Sequence, residues 1–191
     1  MRIIAGSAKG RALKSPRNIL IRPTADKVKA AFYSMIGGAY LEGSKFLDLF
    51  AGTGNMGIEA LSRGAMRCVF VDKSRRSIRL IRENLNLTGF NERAWVLGCD
   101  VIRALAILRK EEACFNIIYI DPPYNIKVDE TLAMISSYQL LCAGGLLGIE
   151  REKRDPCSWL EAIPYKLKQC KLYGNTRLYL LKNRNAAFSE I

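Results

Sequence analysis

Histidine is absent from this 191-residue chain. That lack removes the imidazole general base, the usual catalytic triad and any His-ligated metal. Any chemistry must rest on Asp, Glu, Lys, Tyr or backbone groups, and no metal site is expected. No apolar run approaches the roughly 20 residues that cross a bilayer. Residues 1–20 carry five Lys or Arg and no uninterrupted apolar segment, so neither a membrane span nor a signal peptide is expected and the expected compartment is cytoplasmic. The six cysteines, at 68, 99, 114, 142, 157 and 170, include no C-x-x-C pair and fall mostly in apolar segments. They read as reduced core thiols.

What is present is globular. Hydrophobic residues make up 49% and charged residues 25% of the chain, and its length suits one domain with a small appendage. The net charge of +12 is unevenly placed. Residues 1–30 hold eight basic side chains and one acidic, residues 151–191 hold nine and four, and residues 31–150 hold thirteen of each. A neutral middle with basic flanks suggests an apparatus for grasping polyanions attached to a separate core, with plain solubility charge as the alternative reading.

The middle of the chain alternates apolar strand-like runs with amphipathic helical stretches. Strands are expected at 45–50, 67–72, 94–97, 115–120 and 146–150, and helices at 55–63, 74–87, 101–110 and 128–138. Such alternation predicts an α/β fold with a parallel sheet covered on both faces. After residue 150 the pattern changes to two strands, 165–173 and 177–182, joined by Gly174-Asn175-Thr176, an antiparallel edge hairpin. Near the start, Arg2-Ile-Ile-Ala and Arg11-Ala-Leu-Lys flank the turn-forming Gly6-Ser-Ala-Lys-Gly10, which predicts a short basic β-hairpin. A helix follows, with Val28, Ala31, Phe32, Met35 and Ile36 forming an apolar stripe.

The first strand runs into Asp48-Leu-Phe-Ala-Gly-Thr-Gly-Asn-Met-Gly57, a G-x-G-x-x-G at Gly52, Gly54 and Gly57. Asp72 stands twenty residues after Gly52 at the end of the next strand. Glycines let a ligand approach the backbone, and the acidic side chain accepts ribose hydroxyls, so an adenosine-bearing cofactor is implied. A dinucleotide would place its pyrophosphate on the helix N-terminus. S-adenosylmethionine (SAM) has no pyrophosphate, and its sulfonium favours an acidic neighbour such as Asp48. The alternative for Asp48 is a carboxylate that only hydrogen-bonds loop amides, and Asp100, after the third strand, either accepts an adenine amine or caps the following helix. The cofactor-binding candidates are Asp48, Phe50, Gly52, Gly54, Asp72 and Asp100.

The fourth strand ends in Asp121-Pro122-Pro123-Tyr124. Ligands of such sheets gather at the strand carboxyl ends, so Asp121 is expected to share the cleft with the glycine loop. Two prolines stop regular structure and hold a rigid turn. The Asp121 carboxylate and the Pro122 carbonyl then offer two fixed acceptors to an amino group, and Tyr124 offers a ring on which an unstacked base can lie. Asp121, Pro122, Pro123 and Tyr124 are the catalytic candidates.

The glycine loop together with Asp-Pro-Pro-Tyr resembles class I SAM-dependent amino-methyltransferases. The chain is similar, more narrowly, to bacterial 16S rRNA guanine(966)-N(2) methyltransferases. The likeness is carried by Arg2-Ile-Ile-Ala-Gly, Lys9-Gly-Arg, Arg22-Pro-Thr-Ala-Asp-Lys-Val-Lys-Ala-Ala-Phe32, Phe46-Leu-Asp-Leu-Phe-Ala-Gly-Thr-Gly and Gly57-Ile-Glu-Ala-Leu-Ser-Arg-Gly64, and spans about residues 1–182. Two positions depart from it: Lys29-Ala30 where the family often has Arg-Glu, and Asp72 where it often has Glu.

The resemblance implies a Rossmann-like domain at 23–183 with a seven-stranded, mostly parallel twisted sheet, a basic hairpin extension at 1–22 and a tail at 184–191. It further implies that SAM methylates the exocyclic N2 of one guanine in 16S rRNA, within the small ribosomal subunit or an assembly intermediate. A monomer is expected. RNA contacts are expected from Arg2, Lys9, Arg11, Lys14 and Arg22, whereas Arg75, Arg76, Arg79 and Arg82, on one helix, read as a solvated face. DNA adenine-N6 methylation uses the same acceptor pair and stays open, as does a SAM-binding assembly factor without turnover.

Overall fold

In a computed structural model the described residues are 1–16, 23–123 and 126–183, with nothing said of the side chains of 23–25. Among them are seven strands, β1 (Lys45–Leu49), β2 (Arg67–Val71), β3 (Ala94–Leu97), β4 (Phe115–Ile120), β5 (Leu141–Glu152), β6 (Tyr165–Tyr173) and β7 (Thr176–Asn183). Five α-helices accompany them, α1 (Pro23–Ile36), α2 (Asn55–Ser62), α3 (Arg75–Thr88), α4 (Val101–Lys110) and α5 (Asp129–Ser137). The strands form one sheet in the order β3-β2-β1-β4-β5-β7-β6. β3 through β5 run parallel, and β7 lies antiparallel to both β5 and β6. This is the α/β architecture with an antiparallel edge that the strand–helix alternation predicts.

Alternating side chains send the central strands into two cores. On one face Phe46, Phe70 and Tyr119 pack with α1, α2 and α3, through Phe32, Ile58, Ile81 and Leu85. On the other, Leu47, Leu49, Ile118 and Ile120 pack with α4 and α5, through Leu105, Leu108, Leu132 and Ile135. Phe32, fully buried, meets the Tyr119 ring edge-on at 4.7 Å. A buried aromatic of this kind contributes on the order of 2–3 kcal/mol. α1 therefore stays on the sheet through its apolar stripe.

The N-terminal segment closes by a single antiparallel bridge, Arg2 to Ala12, with Ile3 N donating to Arg11 O and Gly10 N to Ile3 O. Its Ile3, Ala8 and Leu13 are buried in the same core as α1 and α2. At Gly6, φ is +85° and an added Cβ would lie 1.8 Å from Ser62 O, so the turn seats directly on the end of α2.

The reading of all six cysteines as reduced core thiols is corrected. Cys114 and Cys142 are joined as a disulfide where β4 and β5 begin, because the parallel pairing of Phe115 with Leu141 brings their neighbours together. Of the others, Cys68 is buried and Cys170 is exposed.

Candidate active site

The strand order reverses between β1 and β4, and their carboxyl ends open a cleft there. Asp48, next to last in β1, is 2% exposed. Its Oδ2 accepts the Gly57 N–H at 2.8 Å. Burial raises this carboxyl well above the usual range, opposed by that hydrogen bond and reinforced by the charges of Asp121 and Asp72. Asp48 thus braces the loop from below and does not line the cleft. Between them the chain turns through Phe50 at φ 60° and Gly54 at φ 76°, the residue that opens α2. Gly57 answers a different need. A Cβ there would stand 2.3 Å from the Phe70 ring and 2.5 Å from Cys68 Sγ, so only glycine lets α2 lie this close to β2.

Asp72, just past β2, ties the loop from the other side. Its Oδ2 accepts Gly52 N–H at 2.9 Å and its Oδ1 accepts Ser74 N–H at 2.8 Å. Each carboxylate oxygen has a second lone-pair site, and Asp72 lines the cleft. Asp100 caps α4, its Oδ1 accepting Arg103 N–H at 2.9 Å. It too lines the cleft, so capping and ligand contact are compatible through its two oxygens.

β4 delivers Asp121 to the opposite wall, followed by Pro122 and Pro123. The Pro123 carbonyl accepts Ile126 N–H at 2.9 Å, and buried Arg151 donates to Ile126 O at 3.0 Å and to Asp155 Oδ2 at 2.6 Å. Arg151 therefore clamps the segment beyond the prolines to the end of β5. Ile120, the last residue of β4, pairs with Ile149, so Asp121 and Glu150 follow side by side at the carboxyl end of the pairing. Glu150 accepts a hydrogen bond from the Tyr119 hydroxyl. Desolvation in this recess pushes the Asp121 carboxyl up to about 6, moderated by the Arg151 charge. Desolvation and the Asp121 charge push Glu150 up to about 8.

The resulting cavity measures about 670 Å³. Of the sequence-derived candidates, Phe50, Asp72, Asp100, Asp121, Pro122 and Pro123 line it. Gly52 and Gly54 shape its loop, and Asp48 lies beneath. Tyr124 and Arg22 fall outside the described residues. Sequence reasoning missed Glu150, Tyr119 and Arg151. The available signal was Gly148-Ile-Glu-Arg-Glu152, an apolar strand ending in charges level with Asp121. The cavity wall carries the carboxylates of Asp72, Asp100, Asp121 and Glu130, with Glu150 held protonated beside them, against two lysines, Lys73 and Lys127. That balance suits a cationic ligand and opposes a pyrophosphate. Among the described residues no cluster of His, Cys, Asp or Glu is arranged to hold a metal ion, and no helix is long and apolar enough to cross a membrane.

Buried polar groups bind the N-terminal segment to this loop. Lys29 Nζ donates to Arg2 O at 2.7 Å and to Asn55 Oδ1 at 2.8 Å, and lies 3.3 Å from Glu59 Oε2. Glu59 in turn accepts the N–H groups of Ile4 and Ala5 and pairs with Arg63. Asn84 completes the attachment. It accepts Lys14 N–H at 2.7 Å and donates to Lys14 O and to Thr53 O in the glycine loop.

Residues 1–182 match the family model described as conserved hypothetical protein 95. The chain belongs to this family. Among its relatives is YlbH of Bacillus subtilis, provisionally named an rRNA methyltransferase, 43% identical across 80% of this chain and 83% of that protein. Ribosomal RNA small subunit methyltransferase D of Haemophilus influenzae is 30% identical over 82% of this chain and 81% of its own length. The solved structure of yhhF from Escherichia coli, provisionally called a methyltransferase, superposes with a TM-score of 0.81 at 25% identity, covering 96% of this chain and 97% of that one.

Proposed function

We propose that the protein transfers a methyl group from SAM to the exocyclic N2 of a guanine in 16S rRNA, acting as a cytoplasmic monomer on the small subunit or its precursor. The observation that carries this reading is one continuous cavity joining Asp72 and Asp100 to Asp121-Pro122-Pro123 at the switch point. The named relatives supply the RNA.

Asp72 would hold the ribose hydroxyls with its remaining lone pairs, and Asp100 an adenine amine with the oxygen not used as a cap. Phe50 would pack against the adenosine, Gly52 and Gly54 would let it approach the backbone, and Asp48 would keep the loop in shape. The acidic wall fits the sulfonium charge. When bound, SAM supplies an electrophilic methyl group. The Asp121 carboxylate and the Pro122 carbonyl accept the two hydrogens of the target amine, which favours a more tetrahedral nitrogen and aligns its lone pair. The proton leaves after transfer, to Asp121 or to water. Tyr124, next in sequence, would supply the stacking ring.

The test incubates purified protein and labelled SAM with 16S rRNA transcript, with small subunits lacking the modification, and with unmethylated DNA. Label mapped to guanine N2 in 16S rRNA or subunits supports the reading. Label on DNA adenine alone refutes it, and SAM binding without transfer to any substrate leaves an assembly factor.

A further inference from the structure

Beside the cavity, α3 carries a second groove, of about 410 Å³, lined by Lys73, Arg75, Arg79 and Arg82 over a floor that includes Ile78 and Gly98. The four cations are exposed. Its one acid, Glu83, is already engaged between Lys14 Nζ at 3.1 Å and Arg79 Nε at 2.9 Å. That pairing draws the N-terminal segment onto α3, as does Arg11, whose guanidinium donates to Leu87 O. Two side chains expected from sequence to meet RNA are thus turned toward α3, and the basic surface they would have formed alone continues along the helix. Lys73 lines the groove and the cavity alike, so the two spaces adjoin at that residue.

We infer that this α3 groove is a seat for the phosphate backbone of the RNA whose guanine enters the cavity, a role that its solvent-exposed arginines leave open. The inference rests on the methyltransferase reading above. Its arguments are charge complementarity and continuity with the cavity. Arg75, Arg79 and Arg82 share one helix face at i, i+4 and i+7, and at 1.5 Å per residue they span about 10 Å.

The experiment measures binding of an unmodified 16S rRNA transcript, and of small subunits lacking the modification, at several salt concentrations. It compares the wild type with the combined variant Arg75→Ala, Arg79→Ala, Arg82→Ala. Alanine keeps the helix, a circular dichroism melt checks the fold, and SAM affinity should not change. The slope of log affinity against log salt should become shallower by about 2–3, since each released phosphate contact contributes roughly 0.7–0.9. The same three positions changed to Lys should restore most of the slope; if the Ala variant does not fold, this Lys variant is compared with single Arg→Gln variants, each expected to lower the slope by about one. An unchanged slope in a folded variant, while the wild type still methylates the RNA, overturns the groove alone. A wild type that neither binds nor methylates RNA overturns both readings, and equal salt-dependent binding to duplex DNA of matched length overturns RNA as the groove's partner.

Discussion

The Tyr119 hydroxyl hydrogen-bonds Glu150 across two adjacent parallel strands, and Asp121 stands next to Glu150 in the same register. A fully buried phenol thereby fixes the carboxyl that forms the back of the cleft. The folded protein keeps the Glu150 proton up to about pH 8, whereas an ordinary glutamate releases it near 4.5. Since the folded pKa is raised, the associated stability is complete below about pH 4.5 and is lost as pH rises through about 8. Glu150→Gln mimics the protonated group. Its melting temperature relative to wild type should be nearly unchanged at pH 5 and higher at pH 8.5, by about 2–4 °C for each kcal/mol relieved. The same offset at both pH values would count against this account.

Asp121 must be ionised to accept the amine hydrogens, and its carboxyl is pushed up to about 6. Methyl transfer under single-turnover conditions should therefore fall as pH drops through about 6. Asp121→Ala should slow transfer by roughly 10²-fold or more and leave SAM affinity, read by calorimetry, within about twofold. A parallel collapse of both would assign Asp121 to the cofactor.

Lys29 and Glu59 are buried at 1% and 0% exposure, 3.3 Å apart. Burial lowers the Lys29 pKa, and the Glu59 charge opposes that. Lys29→Met removes one partner and strands the other, a change that costs about 3 kcal/mol. Glu59 keeps Arg63, so the low end of that effect is expected. Urea unfolding measures it, and a loss below about 1 kcal/mol would mean that the pair contributes little to holding the N-terminal segment.

Gly57→Ala places a methyl against Phe70 and Cys68 at distances no real side chain occupies. α2 must shift, at a cost of about 1–3 kcal/mol, and the Asp48 contact to Gly57 N shifts with it. The variant should lose both stability and SAM affinity, whereas Gly10→Ala, with open space around its Cβ, should cost only its backbone strain at φ +83°. Equal effects from the two substitutions would show that packing at Gly57 is not the cause.

The identity of the elements was legible because each carries its own period. Val28, Phe32 and Ile36 mark a helix by spacing, and 115–120 marks a buried strand by its apolar run, so β4 begins and ends where the pattern placed it. Asp72 and Asp121 could be nominated because both stand at ends of such strands. Asp48 could not be resolved: its sequence position fits either a cofactor contact or a loop brace, and only the 2.8 Å contact with Gly57 N shows where its carboxylate points.

What the sequence determined by itself is the alternation of strands and helices, the glycine loop and the Asp-Pro-Pro stop, because hydrophobic periodicity and backbone restriction act over a few neighbouring residues. Tertiary structure decided the rest. Glu150 beside Asp121, the Cys114–Cys142 bond, Lys29 against Glu59 and the arginine face of α3 beside the N-terminal segment all join residues tens of positions apart. Such contacts depend on strand order and register, which no local pattern encodes.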